Sequence, residues 1–183
     1  MEEIKGKILF FSPSEEEISY FTDSLIYMCD HSITGSLGLI FNRQLDLDLK
    51  DLFKGLKIGE DYASQNKAFL GGPVNPGAIF ILHSSDKSWK DTLQVSEQIS
   101  MSTSFEALED IAKGDGPNNY ILTLGYTGWG PGQLNDEISE KAWLSFSEDF
   151  KLIFEVRPED QINEISKNLG YDIRMISPDF GNA

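Results

Sequence analysis

The stretch from Tyr120 to Leu134 narrows the folds open to this chain more than any other. Tyr120-Ile121-Leu122-Thr123-Leu124 is a β-rich run, and it passes directly into Gly125-Tyr126-Thr127-Gly128-Trp129-Gly130-Pro131-Gly132-Gln133-Leu134. Glycine supplies backbone conformations closed to other residues, so this density after a strand predicts a rigid, tightly folded turn. Trp129 would cover the core there, and Pro131 would sit in the first turn of a helix over Gln133 to Ile138. A strand, a glycine-rich turn and a helix also form the setting in which backbone N–H groups hold an anion. The G-x-x-G-x-G-x-G spacing matches neither G-x-G-x-x-G nor the P-loop, and no lysine follows, so phosphate binding is the lesser reading.

The rest of the chain alternates short apolar runs with brief helical patterns. Lys7 to Phe11 reads as a strand, and Ser14 with Glu17 has the spacing of a capping box for a short acidic helix. Ser24–Cys29 (SLIYMC) and Ser36–Phe41 (SLGLIF) are strands separated by a polar stretch ending in Gly35, which predicts a hairpin or near neighbours in one sheet. Leu49, Leu52, Phe53 and Leu56 recur with helical period. Ala68-Phe69-Leu70 and Ala78–Leu82 (AIFIL) flank Gly71-Gly72-Pro73-Val74, which predicts a tight turn between two strands. Thr92–Val95 and Gln98–Met101 read as short strands, and the capping-box pattern Thr103-Ser104-Phe105-Glu106 opens a helix that runs through Leu108 and Ile111 and stops at Gly114. Ala142–Phe146 and Lys151–Val156 read as the last strands. Pro158 opens a helix carrying Ile162, Ile165 and Leu169, with Gly170 in the C′ position. Roughly seven strands interrupted irregularly by helices predict an α+β fold rather than regular βαβ repetition.

Composition excludes several classes. The chain has 183 residues, 40% of them hydrophobic, and a formal charge of −15; this suits one folded domain over 1–183 rather than a disordered acidic tail. The acidic excess runs through both halves, so no composition shift marks a boundary. It also opposes binding to nucleic acid by bulk charge, which needs Lys and Arg against phosphates. Lys50, Lys54 and Lys57 form the one notable basic cluster, and three lysines on a helix face are expected to be solvated. No run of eighteen apolar residues exists, so no membrane insertion is expected. Met1-Glu2-Glu3-Ile4-Lys5 lacks the pattern of a signal peptide, so the expected location is cytoplasmic. The lone Cys29 has no partner for an internal disulfide and, inside an apolar run, reads as a buried, inert thiol.

The candidate chemistry sits at strand ends and glycine-rich turns. His31 and His83 both lie where strands meet loops, and with Asp30 and Glu137 they could in principle form a metal shell. No H-x-x-x-H, H-x-x-E-H or cysteine pair supports one, so no metal and no cofactor are expected. No G-x-S-x-G appears, and the serines occupy cap and turn positions. Gln133 and Glu137 stand i, i+4 on one helix face.

Several segments together resemble the YqgE/AlgH family of bacterial proteins. They are Ser24–His31, Gly35–Arg43, Gly71–Val74, Leu82-His83 and above all Leu124–Leu134, followed by Glu137, Ala142 and Trp143. The resemblance runs from about residue 7 to the terminal Gly181-Asn182-Ala183. It departs where family members usually carry an Asp-Pro pair and a basic residue, replaced by Ile18-Ser19 and Asp23, and where a proline commonly follows Asn-Arg, replaced by Gln44. The resemblance implies a strongly curved, partly barrel-like mixed β-sheet with packed helices. It also brings a label of transcriptional regulator, which no basic recognition helix in this sequence supports.

These readings combine into one expectation: a binding or regulatory protein acting through a protein partner or small ligand rather than direct DNA contact. Its cleft would be lined by Asp30, His31, Asn42, Arg43, Gly71, Gly72, His83, Trp129, Gln133 and Glu137. The alternative is an enzyme, a metal-assisted hydrolase using His31, His83 and Glu137.

Overall fold

Side-chain alternation along the strands builds two packed faces. In β1 (Ile8–Phe11) and β2 (Leu25–Ser32), Ile8, Phe10, Leu25, Tyr27 and Cys29 enter one apolar cluster, while Leu9, Ile26 and Met28 enter another. A strand points successive side chains to opposite sides, so a strand apolar at every position must be covered on both. The computed structural model, which describes residues 4–11, 19–59, 62 and 64–176, meets that demand with helices on either face. The capping box of Ser14 and Glu17 lies outside the described residues, as do Ile18 and Gly181-Asn182-Ala183.

The remaining strands are β3 (Gly35–Ile40), β4 (Gln44–Asp48), β5 (Lys67–Leu70), β6 (Val74–Ser84), β7 (Leu93–Gln94), β8 (Ile99–Ser102), β9 (Tyr120–Trp129) and β10 (Trp143–Phe146). Among the described residues they form one ten-stranded sheet in the order β10-β1-β2-β3-β9-β6-β8-β7, with β5 alongside β9 and β4 outside β5. The sheet is not closed, since that path ends at β10 and β7. Every pairing is antiparallel except β5 with β9, which makes the sheet mixed. The hairpin expected from the SLIYMC and SLGLIF runs is present as β2 and β3, with a bulge between Met28 and Asp30.

The helices are α1 (Leu49–Gly55), α2 (Phe105–Lys113), α3 (Gln133–Ser139), α4 (Phe150–Phe154) and α5 (Gln161–Leu169). On one face Leu152 and Ile153 of α4 and Ile165 of α5 pack against Phe10, Tyr27, Leu39 and Leu82. On the other, α1 and α2 cover Ile81 and Leu122, and α3 places Leu134 against Ile26, Met28, Trp129 and Trp143. Helix α2 starts at Ser104, whose hydroxyl accepts the Ala107 N–H, and stops at Gly114 with φ +86°. Pro158 opens a 3₁₀ turn over Pro158–Asp160 that runs into α5, which ends at Gly170. This α+β architecture is the expected one.

Three elements differ from expectation. Lys151–Val156 is not a strand. The Asp149 carboxylate accepts the Leu152 N–H at 3.0 Å and caps α4, and the Phe150 ring packs, tilted, against Phe154 one turn away. The β4 strand was not anticipated, although Gln44, Asp46 and Asp48 alternate with Leu45 and Leu47 in a period of two. The turn at Gly71-Gly72 lies between two strands as expected, β5 and β6, with β9 running between them in the sheet. Finally, the glycine-rich segment is not a loop: β9 continues through Trp129, and the helix starts only after Gly132, so Pro131 stands outside it.

Candidate functional site

Gly125 is where β9 changes partners. Before it, Thr123 and Leu124 pair with β5 and β6; after it, Tyr126 still meets Val74 of β6, while Thr127, Gly128 and Trp129 pair with β3 in place of β5. Its φ is +71°, and a Cβ there would stand 2.6 Å from the Gly72 carbonyl oxygen. Gly71 and Gly72 face it from the turn between β5 and β6, with Gly71 N–H donating to Leu124 O and Gly71 O accepting from Ile40 N–H. These glycines allow two backbones to cross in contact, the role of glycine at a sheet corner. No anion cradle forms there, since the segment's backbone belongs to the ladder. At the start of α3 the Gly130 N–H is taken by Gln133 Oε1 at 3.0 Å.

Trp129, Gln133 and Glu137 do come together. Glu137 Oε2 accepts the indole N–H of Trp129 at 2.9 Å and that of Trp143 at 2.7 Å, while Oε1 accepts the Gln133 amide at 2.8 Å. The two indoles meet edge to face at 5.7 Å. A carboxylate with three donors fixed on it is a clamp holding α3 to β9 and β10, not a base waiting for a proton. His31 lies in the same row across the sheet, since His31 pairs with Ser36 and Ser36 with Trp129. Its Nδ1 is 2.7 Å from Ser36 Oγ, and its Nε2 is buried without a hydrogen-bond partner. Asp30, the next residue in the strand, points to the opposite face.

The other expected site residues lie elsewhere. Asn42 ties the ends of β2 and β3 together, accepting the Leu25 N–H at 2.8 Å and donating to Asp23 O at 2.9 Å. Arg43 donates to Tyr20 O and Thr22 O and lies over the Tyr20 ring. His83 pairs with Tyr120, at the opposite end of the ten-residue β9 from Trp129, which is ~30 Å of extended backbone. One cleft lined by all ten residues therefore does not exist. The trio His31, His83 and Glu137 of the hydrolase reading is separated by the length of that strand, and Glu137 is already bonded.

His83 is wholly buried and sits in a directed relay. Its Nδ1 is 2.9 Å from Ser84 O, which only accepts, so Nδ1 carries the proton and Nε2 accepts from Ser102 Oγ at 2.9 Å. Ser102 Oγ lies 2.8 Å from Thr92 Oγ1, which accepts the Trp89 N–H at 2.7 Å. Burial pushes the imidazole below its ordinary value, while the Ser84 carbonyl and the charges of Asp86 and Asp91 pull it back up. The serine–histidine pair has the chemistry of a nucleophile and its base, but both residues are 0% exposed, so no substrate reaches them. Cys29 is buried too; desolvation first and the Asp30 charge second push its thiol well above the ordinary range, which makes it inert.

One open concavity lies elsewhere again. A cleft of about 400 Å³ lies where β4, β5 and the start of β9 meet α4 and α5. Six residues with amide side chains line it: Gln44, Gln65, Asn66, Asn118, Asn119 and Gln161. Gln161 is 1% exposed. Its amide N–H groups donate to Leu152 O at 2.8 Å and Val156 O at 3.2 Å, and its Oε1 is buried with no partner. Tyr120 shares the wall, its hydroxyl 2.9 Å from that of Tyr62; burial and that bond push it above its usual value and keep it protonated. Sequence reading missed this cleft because its amides come from four separate segments. The Asn118-Asn119 pair reads as an ordinary turn before β9.

Among the described residues no three His, Cys, Asp or Glu side chains gather as they would around a metal, and no helix is long and apolar enough to cross a membrane. Comparison with known proteins places this arrangement. The UPF0301 protein of Thiobacillus denitrificans is 40% identical over 165 residues, 89% of each chain. The UPF0301 protein of Marinomonas is 39% identical over 166 residues, covering 90% of this chain and 88% of its own. The solution structure of the AlgH protein from Pseudomonas aeruginosa superposes with a TM-score of 0.80 at 31% identity over the full length of both chains. A crystal structure from Corynebacterium diphtheriae shares the fold at 16% identity, with a TM-score of 0.75 over 96% of this chain and 92% of its own. With residues 8–174 matching the family described as DUF179, AlgH-like, the chain belongs to that family.

Proposed function

We propose that this protein acts by binding a small ligand, in a regulatory rather than catalytic capacity and without direct contact to DNA. The observation that carries this reading is the amide-lined cleft of about 400 Å³. The volume falls in the range of small-molecule sites. The residues suited to catalysis support the same reading, since Glu137 and His83 are each engaged by internal hydrogen bonds. Lys50, Lys54 and Lys57 are exposed on and just after α1, a helix of seven residues that also carries Asp51, in a chain of charge −15.

Thermal denaturation against a library of small polar metabolites tests the reading. A ligand at a hundred times its Kd adds about 2.7 kcal/mol. That corresponds to a rise in Tm of roughly 5–10 °C for a chain of this size. Loss of that rise in Gln44→Ala and Asn119→Ala would place the ligand in the cleft. A library without a single saturable stabiliser overturns the reading. A mobility shift with duplex DNA at low salt would overturn the exclusion of nucleic acid.

A further inference from the structure

The lining of the cleft selects among small ligands. Both cations at its rim are already neutralised: Lys67 pairs with Asp46 at 2.7 Å, and Arg157 with Asp160 at 2.6 Å and Glu159 at 3.3 Å. The chain's charge of −15 adds a repulsive background, so an anion finds little to hold it. The amides of Gln44, Gln65, Asn118 and Asn119, in contrast, make no hydrogen bond to a described residue. Each offers an N–H donor and a C=O acceptor side by side in one plane. Gln161 itself is closed to a ligand, with its N–H groups held by Leu152 O and Val156 O and its Oε1 buried. Between these polar groups the lining is apolar and partly aromatic, with Phe69, Ile121, Ile153 and Phe154.

Paired donors and acceptors in a plane match the edge of a heterocyclic base, and apolar or aromatic side chains match its face. We propose that the cleft takes an uncharged nucleobase, free or as its nucleoside. The proposal rests on the ligand-binding reading above and adds the chemical class of ligand.

Titration of the labelled protein followed by NMR, with adenosine, guanosine, cytidine and uridine and their free bases, tests it. Adenosine and uridine monophosphates serve as charged counterparts, and sucrose as an uncharged polyhydroxylated one. The expected result is saturable binding of at least one nucleoside or base, with shifts at Asn119, Tyr120 and Gln161 and no gain from the phosphate. Asn119→Ala and Gln44→Ala, both at the rim and remote from the core, each weaken it about three- to tenfold. Tighter binding of a monophosphate or of sucrose overturns the proposal, as does nucleoside binding untouched by both substitutions. If nucleosides and bases fail while another neutral compound binds in the cleft, the class falls and the ligand-binding reading stands. If nothing binds, both fall.

Discussion

Glu137 shows how one side chain can organise a corner of the molecule. Two indole N–H groups converge on one of its oxygens, and an amide from its own helix holds the other. Glu137→Ala leaves two sequestered donors without acceptors, at about 1–3 kcal/mol each. Urea denaturation should show a loss of roughly 2–4 kcal/mol, with a change in tryptophan emission. Glu137→Gln keeps an oxygen for the indoles and should cost less than half as much. His83 gives a second residue-scale expectation. Its folded value lies below the ordinary 6.5. Above pH 6.5 neither state binds the proton and its stabilising contribution is complete. Below that, the unfolded chain takes up a proton the folded one refuses, so stability falls with pH until the folded imidazole titrates. His83→Gln should flatten the stability profile between pH 7 and 5 relative to the parent, and an unchanged slope would rule this origin out.

Among the elements, the crossing of β9 over the Gly71-Gly72 turn is the sharpest constraint. Gly125→Ala must place a Cβ 2.6 Å from Gly72 O at φ +71°, whereas Gly114→Ala at φ +86° meets nothing within 4 Å. Denaturant titration should therefore show Gly125→Ala costing about 3 kcal/mol or more, against about 1 kcal/mol for Gly114→Ala. The same glycines explain where sequence reading succeeded and failed. A stop signal such as Gly114 or Gly170 acts locally, and both helix ends were legible. The glycines of β9 serve a contact with a strand some fifty residues away, so their meaning lies in tertiary structure and a turn was the natural local reading. Strand propensity misled at Lys151–Val156, where Leu152, Ile153 and Val156 carry a helical period under β-rich composition. The clamp was half legible: Gln133 and Glu137 share a face by spacing, but the two indoles reach them only through the fold. The cleft was not legible, since no local pattern links Gln44 to Asn119 or Gln161.

At the scale of the whole molecule, the sheet's two halves depend on one late strand. Among the described residues β3 and β6 are joined only through β9, and β1 finds its outer partner in β10, later still. A chain emerging from the ribosome thus holds β1 to β8 before the strand that unites them exists. Its hairpins can form, but the apolar faces they share with β9 stay open until residue 129 has left the exit tunnel. A fragment ending at residue 118 should lack cooperative unfolding and dispersed NMR resonances, while the full chain refolds on the millisecond-to-second scale of non-local β topologies. The strand that forms the corner of the finished sheet also sets the length of time for which the nascent chain is exposed to misassembly.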